Sequence, residues 1–398
     1  MKKLLFISSG ILVLIVVGFF NLAPAILEQQ HNQVVVHKPW PVSEAAQTLH
    51  DSLLVGDWHS DSLLWDRDLL QRSDYGHVDF PRLVEGNVAF QGLTAVTKSP
   101  SGQNYQSNSE DAADNITSLV MAQSWPVATW SSIFERALYQ VQRLQDLEQR
   151  APQQVRIIRT PQDIDQVLTL RAQGTKIVGA LMGMEGAHPL EGKLENLNKL
   201  YDAGYRMIGL QHFFDNKLGG SLHGESNAGL TEFGKQVVQL ALDKNMVIDV
   251  AHSSPAVVLD VLSLTQRPLL LSHSGIYSHC QHKRNIPNAL MKRIANNGGV
   301  VGIGFWNEAV CDDTPQGIVK AIRAAIDTIG VNHVSLGSDY DGSVQTQFDS
   351  SELAALTHQM LQQGFSESEI RKVMGENMLR VMRASLMGSS ATPAISKQ

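Results

Sequence analysis

Short apolar runs, many of them rich in β-branched residues, recur along the chain. There are eight such runs, at residues 53–61, 87–96, 177–186, 205–214, 246–254, 268–275, 299–307 and 333–342. Most of the intervals between them show helical periodicity, as at residues 231–244, 287–296 and 314–329. Near-continuous apolar strands that alternate with helices predict a parallel sheet covered on both faces.

Eight such units predict an α/β fold, a closed (β/α)8 barrel of the TIM type. The alternative is an open, doubly wound sheet. A G-x-G-x-x-G sequence after the first strand is missing, which argues against a dinucleotide-binding fold.

One connection between the predicted strands is long, at residues 97–176, and contains a polar loop at 98–115 and an amphipathic stretch at 131–149. At the carboxyl face of a barrel, this insertion would border the active site.

Two capping patterns predict where helices begin. Thr160 followed by Pro161 is typical of an N-cap with proline in the first helical turn. Ser366 and Glu369 form a capping-box pattern that opens a last helix reaching residue 386.

The amino terminus has the pattern of a membrane-targeting helix. Lys2 and Lys3 precede residues 4–27, which contain no charged residue. The segment is long enough to span a bilayer, and Ala23-Pro24-Ala25 also offers a signal-peptidase site. An uncleaved anchor and a cleaved signal peptide both place the rest of the chain on the exported side. We therefore expect a targeting segment at 1–27, a linker at 28–42, the barrel domain at 43–387 and a disordered tail at 388–398.

The charge and the cysteine content indicate which partners are disfavoured and whether disulfides are expected. The net charge of −7 is spread along the chain, and the absence of a basic block argues against nucleic acid as a partner. There are two cysteines, Cys280 and Cys311. In an exported protein two cysteines predict one disulfide, and the alternative is a pair of buried thiols.

Ionisable residues stand at the ends of six of the predicted strands. A buried apolar strand has no packing reason to end in such a group, whereas catalytic residues of barrels lie at that position. The residues are His59, Asp61, Glu185, His212, His252, His273 and Asp339.

Three histidines and two carboxylates from this set suit divalent metals such as zinc. Glu185 is the natural bridge, because a carboxylate has two oxygens to share between two ions. Two ions about 3.5–4 Å apart can hold a hydroxide whose parent water has a pKa near 7. This chemistry is hydrolysis.

The chain resembles the membrane dipeptidase (renal dipeptidase) family of binuclear zinc peptidases, which are amidohydrolase-like barrels. The resemblance spans about residues 45–385, with the motifs in the family's order and at similar spacing. The matching segments are Asp57-Trp58-His59-Ser60-Asp61, Met184-Glu185-Gly186-Ala187-His188, Ile248-Asp249-Val250-Ala251-His252, Ser272-His273-Ser274, Lys283-Arg284-Asn285-Ile286-Pro287 and Gly337-Ser338-Asp339-Tyr340-Asp341-Gly342.

The resemblance implies a zinc-dependent dipeptidase with two Zn²⁺ per chain, and usually a homodimer. His59 and Asp61 would bind one zinc, His252 and His273 the other, and Glu185 would bridge them. For the substrate, His212 would polarise the scissile carbonyl and Arg284 would hold the free carboxylate. Asp339 would transfer the proton, first as a base and then as an acid.

Several alternatives stay open. His188 is either a further metal ligand or a residue behind the ligands, and we favour the second role. Asp341 competes with Asp339 for proton transfer, and the resemblance to other barrels favours Asp339. Trp58 and Ser60 depart from the family pattern beside the first histidine.

Two other functions compete with the dipeptidase. One is a related barrel hydrolase that acts on another amide, ester or lactam. The other is an inactive binding protein, although no predicted ligand is missing from the sequence.

Overall fold

Eight parallel strands form a closed barrel in the computed structural model, which describes residue 20 and residues 22–387. The strands follow one another around the barrel, and Leu336 of the last pairs with Asp57 of the first, which closes it. The (β/α)8 prediction is therefore confirmed and the open sheet is excluded. The strands are β1 Val55–Asp57, β2 Val88–Val96, β3 Val178–Glu185, β4 Met207–Gly209, β5 Val247–Asp249, β6 Leu270–Ser274, β7 Val300–Ile303 and β8 Val334–Leu336.

Every residue of these strands is buried, as their apolar sequences predict. The amino-terminal end of the barrel is filled by the first residues of several strands, including Met207, Val247 and Leu270. Met378 and Met382 of the last helix belong to the same apolar cluster. This end is therefore packed with side chains, and the polar residues lie at the opposite, carboxyl end.

Helices surround the barrel and include those predicted from periodicity. The α-helices are Glu44–Asp51, Phe80–Glu85, Asn115–Ala122, Ala128–Ser131, Ile133–Arg150, Pro161–Ala172, Leu194–Ala203, Glu232–Asp243, Pro255–Leu264, Asn288–Asn296, Asn307–Val310, Pro315–Ile329, Ala354–Gln362, Glu367–Arg371 and Asn377–Leu386. The last two are joined by a π-helical turn, Lys372–Glu376. Both predicted starts are capping boxes, at Thr160 with Asp163 and at Ser366 with Glu369.

Several strands are shorter than the apolar runs that predicted them. The first run extends to residue 61, whereas β1 ends at Asp57. The chain then turns over the mouth of the barrel, and this turning requires unusual backbone angles, with φ of 59° at His252 and 64° at Asp339. The ionisable residues therefore lie mostly in the loops just after the strands.

The amino-terminal segment lies on the barrel. Residues 22–31 are helical, and Glu28 is buried. Gln33–Val34 pairs in parallel with Gln345–Thr346. The predicted linker at 28–42 is thus in contact with the domain along part of its length. Most of the predicted targeting segment lies outside the described residues, and so does the whole of the predicted tail. Within residues 22–387, no helix is long and apolar enough to cross a membrane.

The two cysteines form the predicted disulfide, with Cα atoms 5.5 Å apart. It joins Cys280, in the loop after β6, to Cys311, which follows the short helix Asn307–Val310. The bond therefore links two loops at the carboxyl end of the barrel.

Candidate active site

Glu185, the last residue of β3, lies at the centre of the predicted cluster. Its Oε1 atom is 3.1 Å from Nε2 of His252 and 3.4 Å from Nε2 of both His59 and His273. Its Oε2 atom is 3.5 Å from Nε2 of His212. A single carboxylate thus faces four imidazoles, one at the end of β6 and three in the loops after β1, β4 and β5.

All seven ionisable residues predicted from the strand ends lie together. His59 is 3.6 Å from Asp61 and 3.8 Å from Asp339, measured from Nε2 to the nearer carboxylate oxygen. Three overlapping sets of side chains have donor atoms close enough to hold a metal ion: His59, Asp61 and Glu185; Glu185, His212 and His252; and His59, His273 and Asp339. These distances bring His212 and Asp339 as near as the five predicted ligands, so their separate roles rest on the resemblance.

The spacing of the donor atoms suits coordination of a shared metal ion. Nε2 of His252 lies 2.9 Å from Nε2 of His273. Burial lowers the pKa of both rings well below the ordinary value, which favours neutral imidazoles. Both rings direct Nε2 at the same point, and a neutral imidazole binds a metal through its unprotonated nitrogen. The cluster therefore has the chemistry of a metal site.

The charge of Glu185 also suits a cation. Burial raises the pKa of its carboxyl group, but His212 and His59 outweigh burial and lower the pKa well below the ordinary value. Glu185 is therefore ionised and offers two oxygens. A buried anion of this kind requires a compensating positive charge.

Two hydroxyl groups to which the sequence assigned no role form hydrogen bonds with the predicted ligands. Thr94 of β2 donates to Oδ1 of Asp61 at 2.6 Å. The Oγ atom of Ser272 lies 2.8 Å from Nδ1 of His273 and 3.3 Å from Nδ1 of His59. With Nε2 of both rings facing the cluster, both Nδ1–H groups can donate to this one oxygen. Hydrogen bonds of this type orient metal ligands.

Two buried aspartates organise the strand ends. Asp57 accepts from the backbone and hydroxyl of Ser338, and Asp249 accepts from the backbone of Ala251 and Ser272. Both aspartates lie within the quoted motifs, yet the sequence does not distinguish them from ligands.

Asp339 and Asp341 occupy different surroundings. Asp339 lies beside His59, at the metal-ligand cluster. The carboxylate of Asp341 accepts hydrogen bonds from Ser62 at 2.5 Å, from Arg67 at 2.7 Å and from the backbone of His77 at 2.6 Å. The structure therefore places Asp339 at the site, and places Asp341 in a buried ionic cluster behind it.

Arg284 is buried at the rim of the metal-ligand cluster. Its Nη2 atom donates to the backbone carbonyl of His273, while Nη1 is buried without a partner among the described residues. The guanidinium also lies over the ring of Trp306, 5.5 Å from its centre. A buried, half-satisfied guanidinium can receive a carboxylate.

His212 points its Nε2 atom at Glu185, and its Nδ1 atom lies 3.3 Å from the carbonyl oxygen of Lys98. Because a carbonyl only accepts, Nδ1 carries the hydrogen. Burial lowers the pKa of His212. With one proton on the ring, Nε2 of His212 is unprotonated. The ring needs a second proton to donate to a substrate oxygen, and the carboxylate of Glu185, which acts against burial, favours that second proton.

His188 does not belong to any of the three metal-binding sets. Its ring stacks on Phe214, with centroids 4.4 Å apart. Burial lowers the pKa of His188 to about 3, so the ring is neutral. This position, behind the ligand cluster, agrees with the role that we favour for it.

An open cavity of about 440 Å³ lies next to the cluster. Its lining includes Tyr105, Phe213 and Trp306. The ring of Phe213 is 5.0 Å from that of His252, and the ring of Trp306 is 6.0 Å from that of His273. Tyr105 comes from the long connection after β2, which therefore borders the site as predicted.

A barrel whose mouth gathers histidines and carboxylates around one central carboxylate is typical of a metal-dependent hydrolase. Residues 43–394 match the model of the membrane dipeptidase family, peptidase family M19. The chain belongs to this family and is a metallo-dipeptidase.

Known proteins agree with this assignment. The chain is 27% identical over 317 residues to the dipeptidase tcpJ of Claviceps purpurea (strain 20.1), which covers 77% of this chain and 69% of that protein. The fold is similar to the probable dipeptidase PvdM of Pseudomonas aeruginosa, with a TM-score of 0.71, 20% identity and coverage of 86% and 98%. It is also similar to a Rhodobacter sphaeroides metallopeptidase bound to a phosphinate mimic of L-Ala-D-Ala, with a TM-score of 0.68, 24% identity and coverage of 84% and 99%.

Proposed function

We propose that this metallo-dipeptidase binds two zinc ions per chain and hydrolyses dipeptides that have a free carboxyl terminus. The observation that carries the proposal is the position of Glu185, within 3.5 Å of four histidine nitrogens. His59 and Asp61 would hold one ion, His252 and His273 the other, and Glu185 would bridge them. Five ligands exceed the four positions of one tetrahedral site, and nitrogen with carboxylate oxygen suits zinc.

When bound, such ions lower the pKa of a coordinated water and polarise a carbonyl group. The protein's own groups bind and orient the dipeptide. Arg284 offers Nη1 to the terminal carboxylate, and the cavity beside Tyr105, Phe213 and Trp306 admits a side chain. His212, once doubly protonated, would donate to the carbonyl oxygen of the scissile bond. Asp339 would take a proton from the attacking water and return it to the leaving amine.

Metal analysis tests the binuclear proposal. Purified protein is stripped with a chelator, reconstituted with zinc and assayed for bound metal and for turnover of a dipeptide panel of both stereochemistries. We expect two ions per chain, with activity rising as the second ion binds. Glu185→Gln should bind less metal and lose turnover. Full activity at one ion per chain would contradict the binuclear site.

The cellular setting is also a proposal. The uncharged stretch at residues 4–27 after Lys2 and Lys3 supports export, with the barrel on the periplasmic or extracellular side and tethered to the membrane. Protease accessibility in intact and opened cells would test this placement. A homodimer, which the family resemblance implies, would be tested by sedimentation of the purified protein.

A further inference from the structure

Residues 28–35, the N-terminal segment, contact residues 337–346, the β8 loop, which carries Asp339. Direct hydrogen bonds join residues 32–35 to residues 343–346. Gln33–Val34 pairs with Gln345–Thr346, and the backbone of Val35 donates to Thr346 at 2.9 Å. The side chain of Asn32 accepts from the backbone of Ser343 at 2.9 Å. The position of the β8 loop therefore depends on the N-terminal segment.

A buried ionic cluster makes a second connection. Arg67 donates through Nε to Glu28 and through Nη2 to Asp341, at 2.7 Å for the second bond. Glu28 and Asp341 are each 1% exposed. One buried guanidinium thus joins the N-terminal segment to the residue two positions after Asp339. Because a buried charge needs its partner for compensation, removal of Glu28 is expected to disturb Arg67 and Asp341.

His77 provides a third connection. The backbone N–H of Asp341 donates to Nδ1 of His77 at 3.0 Å, so the ring's hydrogen is on Nε2. Nε2 lies 3.2 Å from the carbonyl oxygen of Gln33, to which it donates. The imidazole of His77 therefore joins the backbone of the N-terminal segment to the backbone of the β8 loop.

The β8 loop needs such support because its backbone is strained. Asp339, Asp341 and Ser343 have φ of 64°, 59° and 61°, in the left-handed region that disfavours side chains. Conformations of this kind persist only when the surrounding structure imposes them. The loop also touches the metal ligands, because the backbone of Asp61 donates to Tyr340 at 3.0 Å.

We propose that the N-terminal segment is a positioning element of the active site, in which Glu28 and Asn32 hold the β8 loop so that Asp339 stays beside the metal-ligand cluster. The inference rests on the proposed role of Asp339 in proton transfer. It makes the segment between the predicted membrane anchor and the barrel part of the catalytic structure. Glu28 and Asn32 act through Asp339 and do not touch the substrate.

Full-length variants test the proposal. Glu28→Ala and Asn32→Ala should each lower kcat about 10-fold, with KM and metal content changed less than about 2-fold, since loss of supporting hydrogen bonds has effects of this size. Burial raises the pKa of Glu28 to about 7, so the group is partly neutral at neutral pH. Glu28→Gln keeps an acceptor for Arg67 and should largely restore kcat. Gln30→Ala, at an exposed position of the same segment, is the matched control.

A double-mutant cycle separates positioning from loss of stability. If Glu28 acts through Asp339, adding Glu28→Ala to Asp339→Asn should not lower the residual kcat further, because effects through one group are not additive. Multiplying losses would overturn the proposal.

Hydrogen exchange of residues 337–346 adds a readout that does not depend on turnover. Exchange there should accelerate in Glu28→Ala and Asn32→Ala and stay unchanged in Gln30→Ala. Unchanged exchange in both variants would overturn the proposal. If the wild type cleaves no dipeptide, the proposed function fails, while the exchange data still decide whether the segment positions the loop.

Discussion

The guanidinium of Arg284 donates from Nη2 to the backbone carbonyl oxygen of His273 at a distance of 2.5 Å. If Arg284 receives the substrate carboxylate and His273 binds a metal ion, as we propose, this bond would hold the carboxylate-binding group at a set distance from the metal cluster. Such a separation would select substrates by the distance between their scissile bond and their free carboxylate. A dipeptide has only one residue between these two groups.

Arg284→Ala should raise KM for free dipeptides about 10- to 150-fold, because a hydrogen bond to a charged group contributes about 1.5–3 kcal/mol. Carboxyl-amidated dipeptides lack the charge and should be affected much less. Arg284→Lys keeps the positive charge but loses the two-pronged hydrogen bonding of the guanidinium, so it should raise KM by a smaller factor than Arg284→Ala. Steady-state kinetics of wild type and variants, on dipeptides with a free and with an amidated carboxyl terminus, measure these changes in KM. Equal losses on both would assign Arg284 another task.

Asp339→Asn should keep both metals and lower kcat by a factor of about 10²–10⁴, the usual effect of a positioned acid–base group. Metal content and turnover are to be measured in the same preparation. A parallel loss of metal would instead make Asp339 a ligand, which its distance of 3.8 Å from His59 permits. A larger loss of turnover in Asp341→Asn would reverse the assignment of the two carboxylates.

Asp341→Asn should reduce stability in a pH-dependent way. Burial raises the pKa of Asp341, but the charge of Arg67 and the hydrogen bond from Ser62 outweigh burial and lower this pKa well below the ordinary value. The ionised group therefore stabilises the fold above the unfolded-state pKa, near 4, and this contribution is lost as pH falls further. The difference in Tm between wild type and variant should be largest near pH 7 and shrink below about pH 4. Asp202→Asn, at an exposed position, should show no such trend.

Ser272→Ala should weaken metal binding about 10- to 100-fold, because it removes the acceptor shared by His59 and His273. Ser335→Ala is the matched control. Ser335 lies buried in β8, and its hydroxyl has no partner within residues 22–387. Competition with a chelator measures the affinity of each variant. Equal affinities would show that the two ligands keep their orientation without Ser272.

Reduction of the Cys280–Cys311 bond should destabilise the protein by about 3–4 kcal/mol, since the cysteines are 31 residues apart and the bond restricts the unfolded chain. Denaturant unfolding of oxidised protein and of the Cys280→Ser, Cys311→Ser double variant measures the difference. Two titratable thiols in unfolded, unreduced protein would contradict the bond.

The sequence by itself determined the architecture and the members of the site. Eight apolar runs separated by helices predict a parallel barrel, and because the carboxyl ends of its strands converge, His59, Glu185, His252 and His273 were expected to meet. The helix starts at Thr160 and Ser366 were equally predictable, because a capping box is a local pattern.

The tertiary structure decided which neighbouring groups support the site. Thr94 and Ser272 reach the ligands through the register of neighbouring strands. Near-continuous apolar runs lack the alternation of polar and apolar residues that would specify this register. Asp339 and Asp341 are two residues apart and chemically alike, and only their tertiary contacts distinguish them, because Asp339 lies beside His59 and Asp341 pairs with Arg67. The polar composition of residues 28–42 indicates a linker, yet Glu28 is buried there because Arg67 and Asp341, distant in the sequence, lie against it.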